Sequence, residues 1–320
     1  MRATLFRAAL TIVALFAGVA SAQYPARAIH IIVPIPPGGA PDVLARAIGP
    51  KLAEQLGQTV IIDNVTGANG NIAGAMVAKA APDGYTLLLG PDSLLTINPH
   101  IYDKMPFDPL KDLAPVASLV SNEFVLSVNP SVPAQTFTEF IEFARKANPP
   151  LAYASGGHGS QHQLAMEMLK KRAGIELTHI PFRGGSPATV ATIAGDTKVM
   201  FAGSSSAPQI QAGKLRALAV TGSHRSRAFP DLPPIADFYP GYELTIWLGL
   251  FAPAGTPKPI LERLRAGVQT ALALPDVTAK LSSAGGMSVF ISSPEEFTAL
   301  VQRDYDKYGR IVREIGIKAE

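Results

Sequence analysis

Five short stretches hold the residues best placed to do chemistry: PIPPGGAPD (34–42), NVTGANGN (64–71), GPDSLLTIN (90–98), SGGHGSQ (155–161) and FRGGSP (182–187). All are rich in glycine, serine, asparagine or proline. Glycine lets backbone approach a ligand closely, proline stiffens a loop without adding a donor, and a helix behind such a loop presents free N–H groups. That chemistry suits an anion such as a carboxylate. The plainer alternative is a set of tight turns, with Asp42 capping a helix. His158 and His162 stand four apart, as metal ligands on one helix face would, but no third ligand follows at a suggestive spacing, and a metal site is not expected. Gly157-His158-Gly159 lacks the third glycine of a dinucleotide fingerprint, and no G-x-S-x-G, H-E-x-x-H or P-loop occurs. No cofactor is expected. Arg183 reads as a solvated or carboxylate-paired cation more readily than as a ligand contact, and Trp247 as a core or cleft-wall residue.

The elements between these loops alternate β-like and helical patterns, the mark of parallel α/β sheets. AIHIIV, TVIID and YTLLLG predict three strands, each followed by one of the first three loops. FVLSV, LAYAS, LTHIPF and KVMFAG predict a second group, and TIWLGLFAP a late strand. Leu44, Ile48, Leu52 and Leu56 recur every fourth residue and predict a buried helical stripe; Gly49-Pro50 predicts a kink or break within it. Thr136 with Glu139, and Ser293-Pro294 with Glu296, have the spacing of helix starts, as does Thr256-Pro257. In open α/β sheets, ligands bind where loops leave the carboxyl ends of strands, which is where the five loops fall.

Composition narrows the class. A chain of 320 residues can bury a large core and predicts two lobes. Arg2 and Arg7 accompany an apolar run ending at Ala20-Ser21-Ala22, which predicts a signal peptide over residues 1–22 and an exported protein beginning at Gln23. There is no cysteine, so the fold rests on packing alone. Taking the two leader arginines from the 28 basic residues leaves 26 against 25 acidic, with no basic stripe to grip nucleic acid.

VPIPPGGAPDVLAR, TGANGNIAGAMVAKAAPDGYTLL, YASGGHGS, HIPFRGGSPA, GKLRALAVTGSHRS, FPDLPPIAD, WLGLFAPAGTPKP and the tail from Ser293 to Lys318 follow one another over the whole mature chain. In order and spacing they resemble the Bug (TctC) family of periplasmic solute-binding receptors of tripartite tricarboxylate transporters. The resemblance implies a two-lobed α/β fold of the Venus-flytrap type, each lobe a sheet flanked by helices. It implies a monomer holding a small carboxylate, a di- or tricarboxylate or related acid, in the cleft and delivering it to membrane subunits. Chain order puts residues 23–122 and 223–320 in one lobe and 123–222 in the other. Carried over residue by residue, the site comprises Pro37, Gly38, Gly39 and Asp42; Asn69, Gly70 and Asn71; Ser93 and Thr96 with Asn98; Ser155, Gly156 and Ser160; and Arg183 with Gly184. Three positions depart from the family pattern: Asn69 replaces a glycine, Gln163 stands where many relatives have His, and Lys198 where an acid is common.

Two functions compete at this stage. One is a receptor that binds, closes and hands over its cargo. The other is an exported hydrolase or lyase in the same cleft, which needs a nucleophile or tuned acid/base pair held by a third group. The loops offer serines, but their His and Asp neighbours follow no known triad order.

Overall fold

The first apolar run folds as β1 (Ile29–Val33), buried at four of its five positions, as a strand covered on both faces must be. The computed structural model describes residues 24–203, 206–226, 229–283 and 287–318; the leader expected over 1–22 lies outside them. β1 pairs in parallel with β2 (Val60–Asn64) and β3 (Thr86–Pro91). Beyond β3 the sheet continues antiparallel through β10 (Thr245–Pro253), β4 (Leu113–Glu123) and β11 (Ser288–Val289), in the order β11-β4-β10-β3-β1-β2. The second sheet runs β7-β6-β8-β5-β9, from β5 (Val125–Val128), β6 (Leu151–Ser155), β7 (Leu177–Pro181), β8 (Val199–Ala202) and β9 (Arg216–Val220). β6 is parallel to β7 and β8, while β5 is antiparallel to β8 and β9.

Helices cover both sheets. They are α1 (Ala40–Leu56), α2 (Asn71–Ala78), α3 (Ser93–Thr96), α4 (Asn98–Ile101), α5 (Phe137–Lys146), α6 (Gln161–Ala173), α7 (Gly185–Ala194), α8 (Ala207–Gln211), α9 (Lys258–Ala273), α10 (Pro275–Ser283) and α11 (Pro294–Ile315). In α1 the predicted stripe of Leu44, Ile48, Leu52 and Leu56 is buried against β1 and its neighbours. The expected break is absent: α1 runs through Pro50 without interruption. Pro50 lies on the exposed face, where water can take the bond its ring denies to the Arg46 carbonyl, and the buried stripe holds both halves. Capping boxes start α5 at Thr136 and α11 at Ser293. The Thr256 start differs, because its hydroxyl donates to the Pro253 carbonyl and Pro257 occupies the cap.

The two sheets make two α/β lobes, as expected, and the chain passes between them at Phe124 and again after Val220. These crossings are stitched together. Thr221 N–H donates to the Phe124 carbonyl, Phe124 N–H donates to Thr221 Oγ1, and that hydroxyl donates to the Leu244 carbonyl. α11 bridges the lobes a third time. Phe297 and Val301 pack with Trp247 and Phe251 of the first sheet, whereas Tyr308 and Val312 join the core of the second.

Candidate functional site

The stiff loop after β1 is held from beneath by one carboxylate. Asp42, almost completely buried in the first turn of α1, accepts hydrogen bonds from Gly38 N–H (2.9 Å), Arg46 Nε (3.0 Å) and Asn64 Nδ2 (3.0 Å). Asn64 Nδ2 also donates to the Ile35 carbonyl. Burial by itself raises the pKa of Asp42, but the bonds from Arg46, Gly38 and Asn64 outweigh it and hold the carboxyl below the usual range. Asp42 therefore shapes the loop, and Pro37 and Gly38 stand exposed at its tip.

The loop after β2 turns through four successive residues with positive φ: Gly67 (127°), Ala68 (46°), Asn69 (49°) and Gly70 (90°). Asparagine accepts this left-handed backbone more readily than most residues, which accounts for Asn69 in a glycine's place. Its side chain donates to Asn98 Oδ1 (2.6 Å), and Asn98 Nδ2 donates to the Asn69 carbonyl and to Asn71 Oδ1. A Cβ on Gly70 would lie 2.9 Å from Pro34, so glycine here lets the first two loops touch.

After β3, Asp92 caps α3 through Ser93 N–H (2.9 Å), and the buried Thr96 hydroxyl donates to the Asp92 carbonyl. Gln161, the first residue of α6 in the other lobe, donates through Nε2 to the same Asp92 oxygen, Oδ1. Asp92 thus joins helix starts from the two lobes. Burial first, and the nearby Asp304 charge second, push its carboxyl well above the ordinary range.

In the second lobe the side chains of β6, α6 and β7 form a closed relay. Gly159 N–H donates to Gln163 Oε1 (2.7 Å), which turns Gln163 Nε2 toward His179 Nδ1 (3.3 Å). His179 Nε2–H then faces Ser155 Oγ (2.6 Å), and Ser155 donates to the Gly157 carbonyl (3.1 Å). His179 is neutral, lowered to about 4 by burial foremost. In this tautomer it gives a hydrogen to Ser155 rather than accepting one, the reverse of a nucleophile–base pair. Ser160 caps α6 through Gln163 N–H. His162, half-buried, packs against Phe124 with ring centroids 4.4 Å apart, and desolvation lowers its pKa to about 4. Its imidazole sits beside Gly156 and Gly185, where a Cβ would approach to 3.0 and 3.1 Å.

These loops line a partly open cavity of about 100 Å³ between the lobes. α1, α6 and α7 begin at its wall, at Gly39-Ala40, Ser160-Gln161 and Gly184-Gly185. Amides in the first turn of a helix have no partner within it, and the helix dipole makes each start attractive to negative charge. Ser93, Asn69, Asn122 and Ser206 add polar side chains; Ile35, Phe124, Ile246 and Leu248 add apolar ones. Among the described residues lining it there is no Lys, Arg, Asp or Glu. A wider outer cavity, about 490 Å³, is lined by Gly67 to Gly70, His158 and Arg183.

Of the residues expected from the sequence, Gly39, Asn69, Ser93, Gly156, Ser160 and Gly184 line the inner cavity. Gly70 and Arg183 line the outer one. Asp42, Asn71, Thr96 and Ser155 are buried, and Pro37 and Gly38 are exposed and line neither cavity. Sequence reasoning missed Phe124, Gln161, Ile246 and Leu248. Phe124 and the β10 residues carry no loop signature; Gln161 followed the serine of the fourth loop and was the one signal available.

A two-lobed α/β fold with a site between the lobes defines the class of solute-binding receptors. Residues 44–317 match the model of the tripartite tricarboxylate transporter family receptor, TctC, and the chain belongs to that family. It is 34% identical over 308 residues to the protein BugT of Bordetella pertussis, covering 94% of this chain and 93% of that one. Among solved structures it resembles R. palustris Rpa4515 with adipate (33% identical, TM-score 0.89, 93% of this chain and 100% of that one). It also resembles MatC of Rhodopseudomonas palustris with bound malate (32% identical, TM-score 0.83, 90% and 100%).

Proposed function

We propose that this protein is an exported, periplasmic receptor that captures a small carboxylate between its lobes and delivers it to the membrane subunits of a tripartite tricarboxylate transporter. One observation carries the reading: the starts of α1, α6 and α7, contributed by both lobes, converge on a cavity with no Lys, Arg, Asp or Glu among the described residues of its wall. Fixed amide dipoles in such a site hold an anion without a counter-charge. The solute makes contact through Gly39, Ala40, Ser93, Ser160, Gln161 and Gly185, and the protein returns it unchanged. The adipate and malate bound by the two related structures support a carboxylate as cargo.

A thermal-shift screen of carboxylic acids, sugars and amines tests this, with mass spectrometry of each acid after long incubation. A ligand that binds only the folded state adds RT ln(1 + [L]/Kd), roughly 2.7 kcal/mol at a hundredfold excess over Kd. The reading expects one or a few acids to raise the melting temperature and to be recovered intact. Stabilisation by sugars or amines alone, or chemical conversion of a bound acid, would overturn it.

A further inference from the structure

Besides the polar side chains of Asn69, Ser93, Asn122 and Ser206, the inner cavity has two unlike kinds of lining. One is the set of helix starts at Ala40, Gln161 and Gly185, whose first-turn amides, apart from Gln163 N–H capped by Ser160 and the N–H-less Pro41 and Pro187, offer a place for negative charge. The other is apolar, built from Ile35 of the opening loop, Phe124 at the crossing between lobes, Ile246 and Leu248 of β10, with Pro41 and Pro91 beside them. Phe124, Ile246 and Leu248 are almost completely buried. The only titratable ring among the described lining residues, His162, packs against Phe124 with the two rings tilted by 37°, and its lowered pKa leaves it without a positive charge.

We infer that the solute is a monocarboxylate with a compact apolar body, its carboxylate at the helix starts and its aromatic ring or branched chain against Ile35, Phe124, Ile246 and Leu248. The inference rests on the receptor reading above and narrows it. A second or third carboxylate would have to leave water for a mainly apolar lining with no Lys or Arg among its described residues, which is unfavourable. Arg183 lines the outer cleft and is not among the residues of this cavity. An apolar body gains from the same lining by leaving water. Amide anchoring and a mainly apolar lining thus select the same ligand: one charge, and little else polar.

Calorimetric titration of the protein, purified free of ligand, with benzoate, isovalerate, malate and citrate tests the inference. Benzoate or isovalerate is expected to bind at least tenfold more tightly than malate and citrate. Ile35→Ser, which changes one partly exposed loop residue, is expected to weaken the apolar acid at least threefold more than malate. If malate or citrate binds as tightly as the apolar acids or more so, the inference falls while the receptor reading stands. If apolar acids win but Ile35→Ser affects all acids equally, the placement of the apolar body is wrong. If no acid binds, both fall.

Discussion

Replacing Gln161 by alanine removes the side-chain hydrogen bond that ties the capping carboxylate of α3 to the start of α6. Asp92 is fully buried; its Oδ1 accepts from Ser93 N–H and Gln161 Nε2, and its Oδ2 has no partner among the described residues. Taking one of two donors from a buried acidic group costs roughly 1–3 kcal/mol. Because Asp92 and Gln161 come from opposite lobes, the cost falls on the closed arrangement, the one that encloses a solute. At about 1.4 kcal/mol per tenfold, affinity should drop about 5- to 140-fold. The drop should appear mainly as faster release, since the bond forms after the lobes meet. Asp92→Asn keeps an Oδ1 for both donors and should hold affinity to within a few-fold. Calorimetry and stopped-flow release on a bound acid, with circular dichroism to check folding, give the result. A Gln161→Ala protein that folds and binds within about twofold of the wild type would refute the reasoning.

Three further outcomes follow from named contacts. Asp42 has a carboxyl held below the ordinary range, so its contribution to stability is fully present above the unfolded value of about 3.9 and is lost as pH falls through its lower folded value. Thermal melts of wild type and Asp42→Asn should differ at pH 7 and converge below about pH 4; a gap unchanged down to pH 3 would contradict the role assigned to Asp42. Gly159 has φ +75°, and a Cβ there would run into Ile101 of α4. Gly159→Ala should therefore weaken binding by about tenfold or more, from left-handed strain of roughly 1–2 kcal/mol added to the clash, and calorimetry at equal folded fraction reads it. Arg183→Ala should change affinity by less than about fivefold, because an exposed cation contributes roughly 0–1 kcal/mol; a loss beyond about thirtyfold would make the outer cleft a charge clamp.

What the sequence disclosed, and what it withheld, follows from how local each signal is. The strands and loops of β1, β2 and β3 announce themselves through apolar runs ending in glycine and proline, and the Thr136 and Ser293 caps through three-residue spacing. β4 escaped notice although it has eleven residues, because Pro115 and the serines within LAPVASLVSNE blur both periods. Of the kink or break read from Gly49-Pro50, the break does not form, since a single lost hydrogen bond on a solvent face is too little to break a helix whose other side is buried. At the site, loop chemistry pointed to Gly39, Ser93, Ser160 and Gly184, whose work depends on local backbone. The direction of Ser155 and Thr96 depended on partners elsewhere: Ser155 ends β6 facing His179, and Thr96 turns back onto Asp92. Phe124, Ile246 and Leu248 become cavity wall only when the two lobes meet, and spacing along the chain carries no trace of that.

The central claim is that backbone dipoles rather than ionic side chains hold the solute's negative charge. Calorimetric titration of a bound carboxylate across a series of concentrations of a non-competing salt tests it most directly. Dipoles fixed within a cavity between the lobes are poorly screened, so the account predicts that affinity weakens only a few-fold between roughly 0.05 and 0.5 M salt. A steep, continuous loss of affinity over the same range would contradict it and assign the charge to exposed cations at the mouth of the cleft.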